Sequence, residues 1–337
     1  MRYGGLRHMN ILVIGREGRL KLYAPDWAEA EKYDIKYISP AASDDEIIEK
    51  GAGAEVILAD AMARVSGKVI NALPKLRMIH SEGVGYNYFD IAAAKEKRVY
   101  VCNCKAANAR AVAEQSVLLM LGLLRDVING DRAFREGKQL KEKERHMLAG
   151  DLMELGECTI GLLGFGDIAQ ASAKILRGFG ARVLYSNRTR KTELERNLNV
   201  TFVSRKELLE QSDIVSVYLN SNAETFHMVD AEFLARMKEG SYIVNTARGD
   251  LVDSHALVEA IASGHIAGAA LDTVEGEPVE PDNALLTAPK EVMDKLIFSP
   301  HVGGITGGAF RRCHEMFWYN LKKLERGEKP EHIVNTW

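Results

Sequence analysis

Three segments near the C-terminal half of the sequence each carry one polar residue suited to the same chemistry. Arg248 lies in Asn245-Thr246-Ala247-Arg248-Gly249, Glu277 in Asp272-Thr273-Val274-Glu275-Gly276-Glu277-Pro278, and His301 in Ser299-Pro300-His301-Val302-Gly303-Gly304. A guanidinium is a planar fork that can grip a carboxylate through two parallel hydrogen bonds, a fit that lysine cannot match. An imidazole can give or take a proton near neutral pH. A carboxylate on its other ring nitrogen fixes the ring and favours the imidazolium. Adding hydride to a carbonyl beside a carboxylate needs these three functions: a clamp, a proton donor and an orienting partner. The trio therefore points to interconversion of 2-keto and 2-hydroxy acids. Plainer roles stay open: Arg248 could cap its strand or pair with Asp250, Glu277-Pro278 could be an ordinary turn, and His301 could be structural.

Upstream, Gly164-Phe165-Gly166-Asp167-Ile168-Ala169 reads G-x-G-x-x-A between an apolar strand predicted at 158–163 and a helix at 167–178. That setting makes it a candidate dinucleotide loop rather than a chance match, though a glycine turn without a ligand remains the alternative. Gly164 permits the tight turn and Gly166 lets backbone approach a pyrophosphate. Ala169 is small enough for close helix–strand packing. With Phe165, Asp167 and Ile168 these residues would present a helix N-terminus to phosphate. An NAD site usually ends its second strand with Asp or Glu, which binds the ribose 2′-hydroxyl. Here Asn187 stands in that place, followed by Arg188, Arg190 and Lys191. A carboxylate would repel a 2′-phosphate, whereas Arg188 can clamp one and Arg190 adds charge. NADP is therefore the expected cofactor, with NAD possible.

The elements that must position these groups alternate. Strands are predicted at 10–14, 55–58, 78–80 and 99–102, with helices at 44–50 and 67–73, the second ended by Pro74. A long apolar helix at 111–127 leads to a polar stretch at 130–150, read as solvated loop and helix face, with a dimer interface nearby as the sharper alternative. A second series has strands at 158–163, 182–185, 213–219, 241–245, 267–271 and 296–298. Its helices lie at 167–178, 205–211, 231–238 and 254–263, and a last helix covers 309–326. Alternation of this kind implies an α/β fold with parallel strands. At 337 residues the chain has room for two domains. A formal net charge of −3, with 46% hydrophobic and 27% charged residues, gives no sign of a nucleic-acid or membrane partner. No apolar run is long enough to span a bilayer, and no signal peptide precedes residue 9. Residues 1–8 could be a leader, a late start site or an artificial extension. The four cysteines (Cys102, Cys104, Cys158 and Cys313) form neither a disulfide framework nor a metal-binding spacing. No metal is expected, and reduced buried thiols suit a cytoplasmic compartment.

The ordered motifs resemble those of D-isomer-specific 2-hydroxyacid dehydrogenases, and the 185–191 segment is similar to the glyoxylate/hydroxypyruvate reductase branch. The resemblance runs from about residue 9 to the C-terminus. It is carried by Gly83-Val84-Gly85-Tyr86-Asn87 with Asp90, Ala111-Val112-Ala113-Glu114, and the loops at 164–169, 245–249, 272–278 and 300–304. It implies two Rossmann-like domains with parallel sheets. A flavodoxin-like substrate domain would comprise 1–108 and 304–337, a dinucleotide-binding domain 109–303, and the active site would lie in the interdomain cleft. It further implies that the Val84 and Gly85 N–H groups bind substrate carboxylate oxygens. Asp272 and the Ala247 carbonyl would anchor a carboxamide, and Gly303 would join the cofactor-binding set. A small 2-keto acid substrate and a homodimer are expected. Asn187, Asn87 and Asn220-Ser221-Asn222 depart from the family pattern. The chain stops soon after its last helix, which counts against the regulatory domain of some phosphoglycerate dehydrogenases. The competing reading is a dinucleotide-sensing scaffold or corepressor of the same fold. Formate oxidation is disfavoured because that branch usually carries Gln where Glu277 stands.

Overall fold

A computed structural model of the chain describes residues 9–337; the opening eight residues, and their reading as a leader, late start or extension, lie outside it. The chain divides into two compact units. One comprises the residues up to Asn108 together with Ile305–Trp337, the other Ala109–Gly304.

The first unit holds five strands: β1 (Ile11–Ile14), β2 (Ile35–Ile38), β3 (Val56–Ala59), β4 (Met78–Ser81) and β5 (Tyr100–Cys102). All pair in parallel, in the order β2-β1-β3-β4-β5. This is the flavodoxin-like order, whose ligand position is the switch point between β1 and β3. A parallel sheet is covered on both faces, so its central strands are apolar throughout. Leu12, Ile14, Ile57 and Ile79 face one core, while Ile11, Val13, Val56, Leu58 and Met78 face the other. Helix Gly307–Glu325 closes the second core with Phe317, Trp318, Leu321 and Leu324, which brings the C-terminal segment back to this unit.

The second unit holds seven parallel strands: β6 (Thr159–Leu163), β7 (Arg182–Ser186), β8 (Thr201–Phe202), β9 (Ile214–Val217), β10 (Ser241–Asn245), β11 (Ile266–Leu271) and β12 (Leu296–Phe298). Their order is β12-β11-β10-β9-β6-β7-β8. The chain winds outward from β6 to β8, then crosses back and winds the other way from β9. This doubly wound pattern places a switch point between β6 and β9, at whose carboxyl edge nucleotides bind. Helix Ala109–Leu124 packs Val117, Leu119, Met120 and Leu124 on one face of the sheet.

Several boundaries differ from the expectations drawn above. β2 went unrecognised because it is a four-residue edge strand, Ile-Lys-Tyr-Ile, interrupted by the exposed Lys36 and with no fully buried residue. The long helix stops at Leu124 rather than 127, because Asp126 adopts a left-handed backbone (φ 47). The polar stretch at 130–150 is mostly helical, as Val127–Arg135 and Gln139–Ala149 broken at Gly137 (φ 72). Neither helix buries a residue. Among the described residues no helix is long and apolar enough to cross a membrane.

Candidate active site

Arg248, Glu277 and His301 follow β10, β11 and β12, which are neighbours in the sheet, so all three leave the same carboxyl edge. Local hydrogen bonds set each one. The buried Asn245 side chain accepts from the Ala247 N–H (3.0 Å) and donates to the Arg248 carbonyl (2.8 Å), closing the turn that presents Arg248. The Arg248 Nη1 donates to the Ala247 carbonyl at 2.6 Å. Its Nε and Nη2 have no partner among the described residues, and it forms no ion pair there with Asp250. Gly249 is required by a close approach: a Cβ there would sit 1.8 Å from the Val274 carbonyl oxygen. The Arg248 turn and the segment leading to Glu277 are thus in direct backbone contact.

Glu277 Oε1 accepts the Val274 N–H at 2.8 Å, and His301 Nδ1 donates to Glu277 Oε2 at 2.6 Å. Nε2 of His301 is left without a partner among the described residues, on a side chain that is partly exposed. Burial alone would push the Glu277 carboxyl up. The hydrogen bonds from His301 and Val274, together with the charges of His301 and Arg248, hold it below the ordinary carboxylate range. The Arg248 charge is therefore felt at the histidine–glutamate pair. His301 itself has a left-handed backbone (φ 53), a conformation that costs energy outside glycine. It is pinned by its N–H, which donates to the carbonyls of Asp272 and Ser299, each at 2.9 Å.

Asp272, expected to anchor a carboxamide, is buried and organises the histidine loop. Its carboxylate accepts from the Ser299 hydroxyl, from the Val302 N–H (3.0 Å) and from the Gly303 N–H (2.8 Å). A Cβ on Gly303 would meet Asp272 Oδ2 at 2.7 Å, which explains glycine there. Gln115 Nε2 donates to the Ser299 hydroxyl (3.0 Å), and Ser116 hydrogen-bonds Thr246 (2.8 Å). Helix Ala109–Leu124 thereby fixes two of the three loops. Nothing in the sequence pattern singled out Gln115 or Ser116, since their partners are more than a hundred residues away.

At the other side of this edge, Gly164 turns with φ 95 after β6, and a Cβ there would lie 2.7 Å from the Tyr218 carbonyl. Gly166 precedes helix Asp167–Gly178, which has no side-chain cap, and a Cβ on it would meet nothing within 4 Å. The N–H groups of Phe165, Gly166, Asp167 and Ile168 find no acceptor among the described residues. Open space before a row of free N–H groups fits an anionic phosphate. After β7, the Asn187 amide donates to the Thr189 carbonyl (2.9 Å), within its own loop. Arg188 is exposed with no described partner. Arg190, expected to act beside it, is held bidentately by Glu195 (2.9 and 2.8 Å) and lies over the Phe202 ring. Lys191 reaches the Phe165 carbonyl at 3.0 Å. The one cation left open on this loop among the described residues is therefore Arg188.

Val84 and Gly85 belong to the first unit. Asn103 binds the Val84 carbonyl (2.8 Å) and the Ser81 hydroxyl binds the Gly85 carbonyl (2.6 Å). The Val84 and Gly85 N–H groups have no acceptor among the described residues, so the loop offers donors to an anion.

Residues 117–303 match the family model described as the D-isomer specific 2-hydroxyacid dehydrogenase NAD binding domain. Glyoxylate reductase from Korarchaeum cryptofilum is 35% identical over 289 residues, 86% of this chain and 85% of that protein. The crystal structure of a glyoxylate reductase from Paecilomyes thermophila superposes with a TM-score of 0.81 at 28% identity, covering 97% of this chain and 98% of that one. The D-isomer specific 2-hydroxyacid dehydrogenase of Lactobacillus delbrueckii ssp. bulgaricus, solved in its NAD complexed form, gives a TM-score of 0.77 at 25% identity over 97% of this chain and 100% of that one.

The depressed Glu277 carboxyl carries a pH signature. A carboxylate with a lowered folded-state pKa adds stability above its unfolded pKa and loses that share as pH falls through the folded value. Glu277→Gln should therefore lower Tm most near neutral pH, with the gap to the unaltered protein closing below about pH 4.5. Thermal melts from pH 7 to pH 3 check this; a gap that stays constant would contradict it.

Proposed function

The chain belongs to the D-isomer-specific 2-hydroxyacid dehydrogenase family, in its glyoxylate reductase branch, and from that premise we propose that it reduces small 2-keto acids such as glyoxylate or hydroxypyruvate with NADPH preferred over NADH. The observation that carries this reading is the His301–Glu277 hydrogen bond at the strand edge that also carries Arg248. When bound, the dihydronicotinamide supplies the hydride. Arg248 offers its unpartnered Nε and Nη2 to the substrate carboxylate and polarises the neighbouring carbonyl. As negative charge grows on that oxygen, His301 delivers a proton from Nε2, and Glu277 stabilises the ring while it is charged. In the reverse direction His301 takes the proton back. The free N–H groups of Val84 and Gly85 support a further role in holding the carboxylate. Phe165 to Ile168 would hold the pyrophosphate. Gly303 and Ala247, like Asp272, would act near the nicotinamide by shaping their loops.

The cofactor preference rests on Asn187 and Arg188: Asn187 stands where a carboxylate would oppose a 2′-phosphate, and Arg188 is open to bind one. Exposed apolar side chains on the two helices after Asp126, including Phe134, Leu140 and Leu148, support a homodimer. Four free, buried cysteines support a reducing, cytoplasmic setting.

Spectrophotometric assay with a panel of 2-keto acids should show oxidation of NADPH, fastest with glyoxylate or hydroxypyruvate. Coenzyme binding without turnover of any panel member would instead favour a dinucleotide-sensing scaffold. Arg188→Ala should weaken NADPH by roughly 10–100-fold, the worth of one or two charge-assisted hydrogen bonds, while NADH changes little; equal losses for both would remove the phosphate-clamp role.

A further inference from the structure

A second imidazole–carboxylate pair sits on the same strand edge, outside the groups assigned above. His227 lies in the loop leaving β9, with a left-handed backbone (φ 49). Its Nε2 is 2.5 Å from Glu275 Oε1, and its Nδ1 faces Asp253 Oδ2 at 4.0 Å. Phe226 stacks on the ring with centroids 4.0 Å apart. The backbone on either side joins the next loop. The His227 N–H donates to the Asp250 carbonyl (2.8 Å) and the Val229 N–H to the Leu251 carbonyl (2.9 Å). Glu275 is tied in turn, since its Oε2 accepts the Ser254 N–H at 3.3 Å and its carbonyl accepts from the Asn283 amide at 3.0 Å.

One side-chain pair thus links three loops, those following β9, β10 and β11. The second loop carries Arg248, two positions before Asp250, and the third carries Glu277, two positions after Glu275. Gly249 already packs against the Val274 carbonyl, which joins the second and third loops next to Glu275. We propose that His227 and Glu275 form a latch that positions Arg248 and Glu277 for the 2-keto acid. The proposal rests on the dehydrogenase reading above. Both are positioning residues, since neither is assigned a contact with substrate or cofactor. The pair is partly exposed, so it adds little to global stability. Its effect is local, where a misplacement of about 1 Å can cost about a hundredfold in rate.

The test uses His227→Ala and Glu275→Ala, with His227→Gln as the variant that keeps a donor. Two quantities are read: steady-state kcat and KM for glyoxylate with NADPH, and amide hydrogen exchange at Val274 and Val252. The Val274 N–H reports directly on the seat of Glu277. The latch predicts a loss in kcat/KM of roughly 10–100-fold and faster exchange at Val274 and Val252. Slow exchange in β6 and β9 and the affinity for NADPH should be unchanged, and His227→Gln should recover most of the activity. Unaltered exchange at Val274, or faster exchange with unaltered kcat/KM, would overturn it. Failure of the dehydrogenase reading looks different. The unaltered chain would then reduce no 2-keto acid, while the exchange comparison would still decide whether the latch holds the loops.

Discussion

A carboxylate half withdrawn from water stays ionised only if hydrogen-bond donors face it, and the carboxyl edge of the seven-stranded sheet is built to supply them to Glu277. The Val274 N–H binds one oxygen and His301 Nδ1 the other, with the Arg248 charge close enough to help. Desolvation pulls against this arrangement, and the hydrogen bonds together with the His301 and Arg248 charges outweigh it. The neighbouring elements bring three loops to one place. β10, β11 and β12 are adjacent, Asn245 wraps the arginine turn, and Asp272 gathers the histidine loop.

Backbone geometry at this edge is as demanding as the side-chain chemistry. Gly249 and Gly303 are glycines because neighbouring atoms occupy the space a Cβ would need, and His301 holds a left-handed conformation against its own preference. Strain of this kind persists where surrounding bonds over-determine it. Two backbone hydrogen bonds donated by the His301 N–H do so here. The result is an imidazole whose ring is fixed from the carboxylate side while its second nitrogen remains available.

The parts of this arrangement that were legible in the sequence are those with short-range patterns. The glycine loop stood out because a strand, a tight turn and a helix must follow in order. Arg248, Glu277 and His301 stood out because their residue types supply the clamp, the fixed carboxylate and the proton donor that one chemistry needs. The parallel α/β character followed from alternation, whereas β2 escaped because a four-residue edge strand interrupted by Lys36 gives too short an apolar pattern. Long-range partnerships left no trace. Gln115 and Ser116 reach residues far along the chain, and His227 meets Glu275 only after folding. Arg188 stood out as the clamp from its place after Asn187, but only the fold shows that Glu195 already holds Arg190.

The most direct measurement of the central claim is a double-mutant cycle on the pair itself, using His301→Asn, Glu277→Gln and the two combined, read as kcat/KM for 2-keto acid reduction. If Glu277 acts through the imidazole, each single change lowers kcat/KM, with about 10²–10⁴-fold expected for loss of the proton donor. The combined variant is then no worse than His301→Asn alone. Losses that multiply, or a Glu277→Gln protein as active as the original, would contradict it.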